Sequence, residues 1–324
     1  MSFFTIFYGV AVTAALMWEL KMSKRTEFVK ELEQYAYGCG GSFKTRESRV
    51  KKIGQFGNWC WNNGFQLSKA TSISTKHIQG FVESRSVAGI SRRTIQNDLS
   101  AVRSVLRKIG KQHFADSNTI SNREMGLDGA SRHGSKVAFP HSKFQDLLNS
   151  AILRDGGLAA CIWLCRKFGL RAREAVMSPD SLPTWYRQLE QGQGSIQVIL
   201  GTKGGRTREV RVIDPESAKV VVKYCLGVMS VNKGVLIGRE NLKKALDFFH
   251  NECRKLGLIG ANSPHSLRYA FAAELLEYFM LNGYSQKESL ALVSLSLGHG
   301  DGRGRYVKSV YLRQNLPESV CGFV

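Results

Sequence analysis

The hydrophobic pattern of the chain changes once, across residues 116–140, and this change limits the possible folds more than any other feature. From Ser23 to about Gly110, apolar residues recur three and four positions apart, which is typical of amphipathic helices. Residues 116–140 lose this period and are rich in Ser, Asn and Gly, so they are predicted to be a linker. The 324 residues are also too many for one core of average size. We therefore predict a helical domain over residues 22–115 and a second domain over residues 141–324.

The second domain contains a segment with the period of a β-strand. The run "SIQVILGTKGGRTREVRVI", residues 195–213, alternates apolar and polar residues on both sides of a Gly-Gly turn. This pattern predicts a β-hairpin, and the segments around it have helical periods. The predicted fold class is mainly α with a small antiparallel β-sheet: an all-α N-terminal domain and a mixed α/β second domain.

The first 21 residues form a separate hydrophobic segment. Residues 2–18, "SFFTIFYGVAVTAALMW", carry no charge, and their length is the short limit for a membrane span. Basic residues follow the segment, so a true span would leave the rest of the chain in the cytoplasm. The favoured interpretation is a start placed too early, with Met22 opening the functional chain. A membrane anchor and a packing helix are the alternatives.

The formal net charge of +20 favours a polyanionic partner. DNA, RNA and an anionic membrane surface all fit such a charge, which exceeds what solubility requires. The clearest helix of the first domain, "SRRTIQNDLSAVRSVLRKIG", has one apolar stripe and several cations on its other faces. These cations are predicted to contact DNA phosphates, with a solvated helix face as the alternative: Arg92, Arg93, Arg103, Arg107 and Lys108.

The cysteines indicate a reducing compartment. There are seven, an odd number, and none forms a CxxC pair. This usage fits neither a disulfide framework nor a zinc site. We expect a cytoplasmic, nucleoid-associated protein, with membrane anchoring through residues 2–18 as the less favoured alternative.

Several polar residues interrupt apolar patterns in the second domain: Arg171, Lys203, His265, Arg268 and His299, followed by Tyr306 and Tyr311. Each alone has an ordinary structural explanation, such as an ion pair, a solvated side chain or a helix cap. Together they form a chemical set. Two guanidinium groups suit the oxygens of a phosphodiester, a tyrosine can be a nucleophile, and a lysine or histidine can protonate a leaving oxygen. No metal-ligand spacing and no nucleotide-binding loop occurs in the sequence, so no metal or cofactor is expected.

These residues resemble the tyrosine recombinase family, the phage-type integrases and their Xer-like relatives, over nearly the whole chain from Ser23. "FGLRAREAV" is similar to the family's Gly-Leu-Arg-x-x-Glu box, "GTKGGRTREVRV" to its lysine-bearing hairpin, "HSLRYAFAAELL" to its His-x-x-Arg box and "LGHG" to its Leu-Gly-His box. The resemblance implies these catalytic residues, with Glu174 as the structural partner of the first arginine: Arg171, Lys203, His265, Arg268, His299 and a late tyrosine.

Two departures from the family pattern concern the later boxes. Tyr269 follows Arg268 where the family more often has His. The family usually places its nucleophile about nine residues after the histidine of the Leu-Gly-His box, whereas Tyr306 and Tyr311 lie seven and twelve residues after His299. The run "DGRGR" resembles a short insertion, so we predict Tyr311 as the nucleophile, with Tyr306 as the alternative.

The resemblance also implies a fold, a mechanism and partners. A SAM-like helical domain and the catalytic domain would form a clamp around duplex DNA. The enzyme would integrate or recombine DNA at specific sites through a covalent 3′-phosphotyrosyl intermediate, without metal or ATP. Four protomers would assemble on two DNA sites, with a possible accessory directionality or DNA-bending protein. The alternatives are a type IB topoisomerase-like enzyme, a DNA-binding accessory protein with a decayed site, and a membrane-tethered nucleic-acid binder.

Overall fold

A computed structural model describes residues 22–131 and 134–312 of the chain. It divides into two compact units between Ser131 and Arg132. Both described parts are mainly helical, and a two-stranded antiparallel sheet lies in the second unit, so the predicted fold class is confirmed. The hydrophobic segment at residues 2–18 and Cys321 lie outside the described residues. Within the described ranges, no helix is long and apolar enough to cross a membrane.

The first unit is a bundle of helices around its own core. The helices are α1 (22–38), α2 (Phe43–Asn62), α3 (Thr75–Val87), α4 (Arg92–Lys108) and the short α5 (Gln112–Ala115). Helix α4 begins after Ser91, whose hydroxyl accepts a hydrogen bond from the backbone N–H of Thr94. Its predicted stripe is buried, including Ile95, Leu99 and Val102. The periodicity therefore identified the face that α4 turns to the core.

The segment that we predicted as a linker, residues 116–140, is shared by the two units. Ile120 and Leu127 are buried in the core of the first unit, after the short 3₁₀ turn Asn118–Ile120. Further along, the backbone N–H of Phe139 donates to the carbonyl of Ser266 in the second unit. The composition is rich in Ser, Asn and Gly, but widely spaced apolar residues anchor parts of this segment to packed cores. Such anchors have no period that sequence analysis detects.

The second unit contains nine helices and the sheet among the described residues. The elements are α6 (His141–Arg154), α7 (Gly156–Lys167), α8 (Ala172–Val176), α9 (Leu182–Glu190), β1 (Ser195–Val198), β2 (Arg208–Arg211), α10 (Pro215–Val231), α11 (Leu242–Lys255), α12 (His265–Leu281), α13 (Gln286–Ser296) and α14 (Gly304–Tyr311). Helix α7 is apolar on nearly all sides and packs against α6, α10 and α12, as a central helix must.

The sheet is the hairpin predicted around the Gly-Gly turn. Strands β1 and β2 pair antiparallel, with Ile196 opposite Val210 and Val198 opposite Arg208. Because side chains alternate across a strand, Arg208 and Val210 of β2 both face the core. An arginine therefore occupies a position that the pattern reserves for an apolar residue.

Candidate active site

The first part of the candidate site is the box at the start of α8. Arg171 is the N-cap residue of this helix, and its backbone N–H donates to Oε2 of Glu174 at 2.7 Å. The guanidinium of Arg171 donates to Oε1 of the same carboxylate at 2.6 Å, and a quarter of this side chain remains exposed. The three-residue spacing thus folds the arginine back onto the glutamate, and Glu174 is buried.

Arg268 is the buried centre of the site. It lies in the first turn of α12 with no exposed surface. Its guanidinium donates to the carbonyls of Gly169 and Leu297, and one nitrogen lies 3.9 Å from a carboxylate oxygen of Glu174. Burial, with a smaller contribution from the positive charges of Arg171 and Arg208, lowers the pKa of Arg268 to about 10, so the group stays positive at neutral pH. The guanidinium therefore holds α12 to the turns that follow α7 and α13.

Tyr311 reaches this cluster from α14. Its hydroxyl lies 3.0 Å from Nε2 of His299 and 3.5 Å from Nε of Arg268, and its side chain is buried. The ring stacks against that of Tyr269, with centroids 4.5 Å apart. Tyr306, in contrast, is 41% exposed and contacts His299 through its ring edge, with centroids 4.9 Å apart. The structure thus brings the hydroxyl of Tyr311, rather than that of Tyr306, to the guanidinium of Arg268.

Both histidines of the set are neutral at neutral pH. Burial of the ring and the positive charges of Arg268 and Arg171 lower the pKa of His299 to about 3. His265 is open to solvent on one side, but the protein packed against its other side and the same two arginines lower its pKa to about 4. A neutral imidazole can accept a hydrogen bond at an unprotonated nitrogen, so Nε2 of His299 can accept the hydroxyl proton of Tyr311.

Lys203 is the one predicted catalytic residue that the structure leaves apart from this cluster. It lies in the exposed turn Lys203–Gly205 between β1 and β2, and its ammonium makes no hydrogen bond or ion pair with the described residues. The base of this turn is nevertheless fixed. Gly201 has a φ of +71°, and a Cβ there would lie 2.7 Å from the carbonyl oxygen of Arg173.

Arg208 belongs to the site, although the sequence analysis missed it. Its guanidinium donates to both carboxylate oxygens of Glu174, at 2.5 and 2.8 Å, and its Nε donates to the carbonyl of Ser296 at 2.9 Å. Burial of Glu174 favours its neutral form, but the hydrogen bonds and charge of Arg208 and the other arginines outweigh this and lower its pKa to about 2. The sequence signal that could have identified Arg208 is an arginine at a position of β2 where the alternation predicts an apolar residue.

The cations predicted on α4 fall into two groups. Arg92, Arg93 and Lys108 are exposed, although Arg92 also donates to the carbonyl of Asp128 at 3.3 Å. Arg103 donates to the carbonyl of Ile120, and Arg107 pairs with Asp116 at 2.5 Å. The last two therefore hold the segment after α5 to the first unit.

A basic groove lies between α2 and α4 in the first unit. Its volume is about 360 Å³. Lys44, Arg49 and Lys52 supply its cations, and the facing residues of α4, among them Ser100 and Ser104, are small or polar. Ammonium, guanidinium and hydroxyl groups are the side chains that bind phosphates. Sequence analysis missed this groove because its two walls come from separate helices, with the cations on α2 and small or polar residues on α4. No group of acidic, histidine or cysteine residues able to hold a metal occurs in the described ranges.

Two family models match the chain. The model described as "Integrase" matches residues 126–274, and the model described as "Phage integrase, N-terminal" matches residues 22–115. Tyrosine recombinase XerC of Brucella suis biovar 1 (strain 1330) is 22% identical over 270 residues, covering 78% of this chain and 81% of the relative. Tyrosine recombinase XerC of Rhizobium meliloti (strain 1021) is 24% identical over 228 residues, covering 65% and 67%.

Solved structures show the same fold. The Tn1549 transposon integrase in complex with circular intermediate DNA is 12% identical, with a TM-score of 0.52 over 86% of this chain and 95% of the other. A variant of that integrase with a circular intermediate DNA is 13% identical, with a TM-score of 0.54 over 84% and 92%.

Proposed function

The chain belongs to the tyrosine recombinase family, and from this we propose that it is a site-specific DNA recombinase that works through a covalent bond between Tyr311 and a DNA 3′-phosphate. One observation carries the proposal. The Tyr311 hydroxyl lies 3.0 Å from a neutral histidine and 3.5 Å from a buried guanidinium. The first neighbour can take its proton, and the second can hold the phosphate that it attacks.

The bonds change as follows. Oη of Tyr311 attacks the phosphorus of one phosphodiester, and its proton passes to Nε2 of His299. Arg171 and Arg268 donate to the non-bridging oxygens, which gain charge in the transition state. The bond from phosphorus to the 5′-oxygen breaks, and we assign Lys203 as the donor of the proton that this oxygen takes. His265 assists in proton transfer and positioning. Attack by the 5′-hydroxyl of a partner strand on the phosphotyrosine then reverses these changes.

The scissile phosphate is expected to enter beside Arg171. Arg268 and Tyr311 are buried, whereas a quarter of the Arg171 side chain is open to solvent. Arg171 also has a single carboxylate partner, Glu174, which Arg208 already contacts with both of its terminal nitrogens. The guanidinium of Arg171 therefore keeps donors available for a phosphate.

The first unit supplies the candidate surface for the flanking duplex. The groove between α2 and α4 presents three cations and hydroxyl groups, and Arg92, Arg93 and Lys108 are exposed on α4. These groups suit the sugar-phosphate backbone rather than base edges, so we assign them to positioning on DNA. We also propose that four protomers assemble on two sites, because exchange needs two duplexes. Failure of paired sites to assemble such a complex, with DNA relaxation by single protomers, would favour the topoisomerase-like alternative.

The test is covalent trapping on nicked suicide DNA, which carries the candidate site and loses its 5′-hydroxyl end after cleavage. Wild type and Tyr306→Phe are expected to form the adduct, whereas Tyr311→Phe is not. Loss only in Tyr306→Phe would keep the family and overturn our nucleophile. If no protein forms an adduct on DNA that it binds, the accessory-protein alternative replaces the proposal.

A further inference from the structure

The Arg208 guanidinium ties together three elements that carry catalytic residues. It projects inward from β2, the strand that follows the Lys203 turn, and it is 6% exposed. Two of its nitrogens donate to the Glu174 carboxylate on α8, at 2.5 and 2.8 Å. The third donates to the carbonyl of Ser296 at 2.9 Å, three residues before His299. All three nitrogens of the Arg208 guanidinium thus have acceptors, and these acceptors lie on elements other than β2.

We propose that Arg208 is a positioning residue for strand cleavage. It acts through Glu174 on Arg171, and through the end of α13 on His299. This inference rests on the proposed recombinase function. It adds to that function a residue that contacts neither the phosphate nor the nucleophile.

Competition for one carboxylate explains how Arg208 acts at a distance. Glu174 is buried, and one of its oxygens receives both the terminal nitrogen of Arg171 at 2.6 Å and that of Arg208 at 2.5 Å. Without Arg208, the whole charge of the carboxylate would fall on Arg171 and on Arg268, which is 3.9 Å away. Arg171 would then be held toward Glu174 and away from a phosphate. By sharing the carboxylate, Arg208 leaves Arg171 available to the reacting group.

The second contact of Arg208 sets the turn that carries His299. Arg208 binds the carbonyl of Ser296, and both Arg171 and Arg268 bind the next carbonyl, that of Leu297. Consecutive carbonyls at the end of α13 are therefore fixed by three guanidinium groups. Gly298 follows with a φ of +65°, and a Cβ there would lie 2.8 Å from Cδ of Arg208. The arginine side chain is packed directly beneath the turn.

The planar shape of the Arg208 guanidinium matters for positioning as well as its charge. Arginine can donate to both oxygens of a carboxylate and keep its Nε for a third acceptor, whereas lysine offers a single nitrogen. We therefore expect that Arg208→Lys keeps the charge balance but not the geometry. A shift of about 1 Å in a catalytic group can slow a reaction about a hundredfold. Arg208→Lys and Arg208→Gln are expected to slow adduct formation at least about tenfold.

The pH profile separates positioning from simple structural support. Several charged or titratable groups face Glu174: Arg171 on its own helix, Arg208 on β2, Arg268 and His265 on α12, and Cys165 on α7. In Arg208→Gln, burial still disfavours the carboxylate while its main hydrogen-bond donor is gone, so the pKa of Glu174 rises. Protonation of Glu174 then ends its hold on Arg171, so the rate of the variant should recover toward acidic pH, in a range where the wild-type rate does not rise.

The experiment measures the rate of adduct formation on nicked suicide DNA and the affinity for intact site DNA. Wild type, Arg208→Lys, Arg208→Gln and the control Arg211→Gln are compared as full chains. Arg211 lies on the same strand, but its side chain is exposed and donates to the hydroxyl of Tyr278. We expect a slower rate and unchanged affinity for both Arg208 variants, a partial recovery of the rate at acidic pH in Arg208→Gln, and wild-type behaviour for Arg211→Gln. If Arg208→Gln shows no cooperative unfolding, the rate and affinity of Arg208→Lys decide.

A double-mutant comparison tests whether the effect passes through Glu174. In a Glu174→Gln chain, Arg208→Gln should slow the remaining rate by a smaller factor than in wild type, because the shared carboxylate is already gone and only the contact with Ser296 is still lost. Unchanged rates in both Arg208 variants overturn the inference, and so does a fall in affinity equal to the fall in rate. An undiminished effect in the Glu174→Gln chain also overturns it. If wild type and Arg211→Gln form no adduct on bound DNA, the proposed function itself fails.

Discussion

Glu174→Gln is expected to destabilise the second unit by about 3 kcal/mol. The carboxylate accepts two hydrogen bonds from Arg208 and two from Arg171, one of them from its backbone. Glutamine has nearly the same shape, but its amide nitrogen is a donor that would face other donors. The substitution therefore leaves Arg208 and the fully buried Arg268 without their counter-charge.

Two independent routes give a similar magnitude. The pKa of Glu174 falls from 4.5 to about 2, and at about 1.4 kcal/mol for each pH unit this corresponds to about 3 kcal/mol. Removal of one partner from a buried ion pair typically costs about 3–5 kcal/mol. In a unit of this size, about 1 kcal/mol shifts the melting temperature by about 2–4 °C. The expected shift is therefore about 6–12 °C.

Calorimetry of the full chain measures this effect, and Glu209→Gln is the matched control. Glu209 lies on β2 next to Arg208, but its side chain is exposed. Only one thermal transition should move in Glu174→Gln, because the two units have separate cores.

The effect of Glu174 also depends on pH. Because the pKa of Glu174 is lower in the folded than in the unfolded state, its ionised carboxylate stabilises the protein above pH 4.5, and this stabilisation is lost as the pH falls toward about 2. The difference between wild type and Glu174→Gln should shrink over that window. A loss below about 1 kcal/mol at neutral pH would refute the shared-carboxylate reasoning.

Three further outcomes are expected. Arg171→Ala should lower the rate of adduct formation about a hundredfold or more, as for loss of one oxyanion donor, and near-normal cleavage would contradict its role. Gly298→Ala should destabilise the second unit by about 1–2 kcal/mol, because φ is +65° and the new Cβ would meet Arg208, and an unchanged denaturation midpoint would exclude this strain. Lys44→Gln should reduce the slope of log affinity for DNA against log salt concentration by about 0.9, because one phosphate contact is lost. Lys30→Gln, at an exposed position on α1, should leave the slope unchanged. Equal slopes in wild type and both variants would show that the groove does not bind DNA.

Much of this fold follows from local patterns in the sequence. The period of α4 identified its buried face, and the Gly-Gly turn identified the hairpin. Arg171 and Glu174 could be paired because three residues separate them at a helix start. In each case, the signal lies within one helix, strand or turn.

The rest depends on contacts between distant segments, which local patterns do not record. Arg208 lies 34 residues from Glu174, and its position on β2 reads as a break in the alternation rather than as part of a site. The turns at residues 118–127 read as a linker because Ile120 and Leu127 are too widely spaced to show a period. The lowered pKa of His299 likewise arises from burial and then from Arg268 and Arg171, which lie on other elements.

The shared carboxylate also bears on how this protein responds to selection. Three guanidinium groups surround a single Glu174, so the cluster keeps two positive charges that no other acid among the described residues pairs with. That surplus opposes folding in the absence of DNA and attracts the phosphate when DNA is present. A directed-evolution screen for heat resistance alone should therefore accumulate substitutions that remove positive charge from this cluster, and the selected variants should lose strand cleavage. Stability and activity are in direct conflict at these few side chains, and only a selection that includes DNA would keep both.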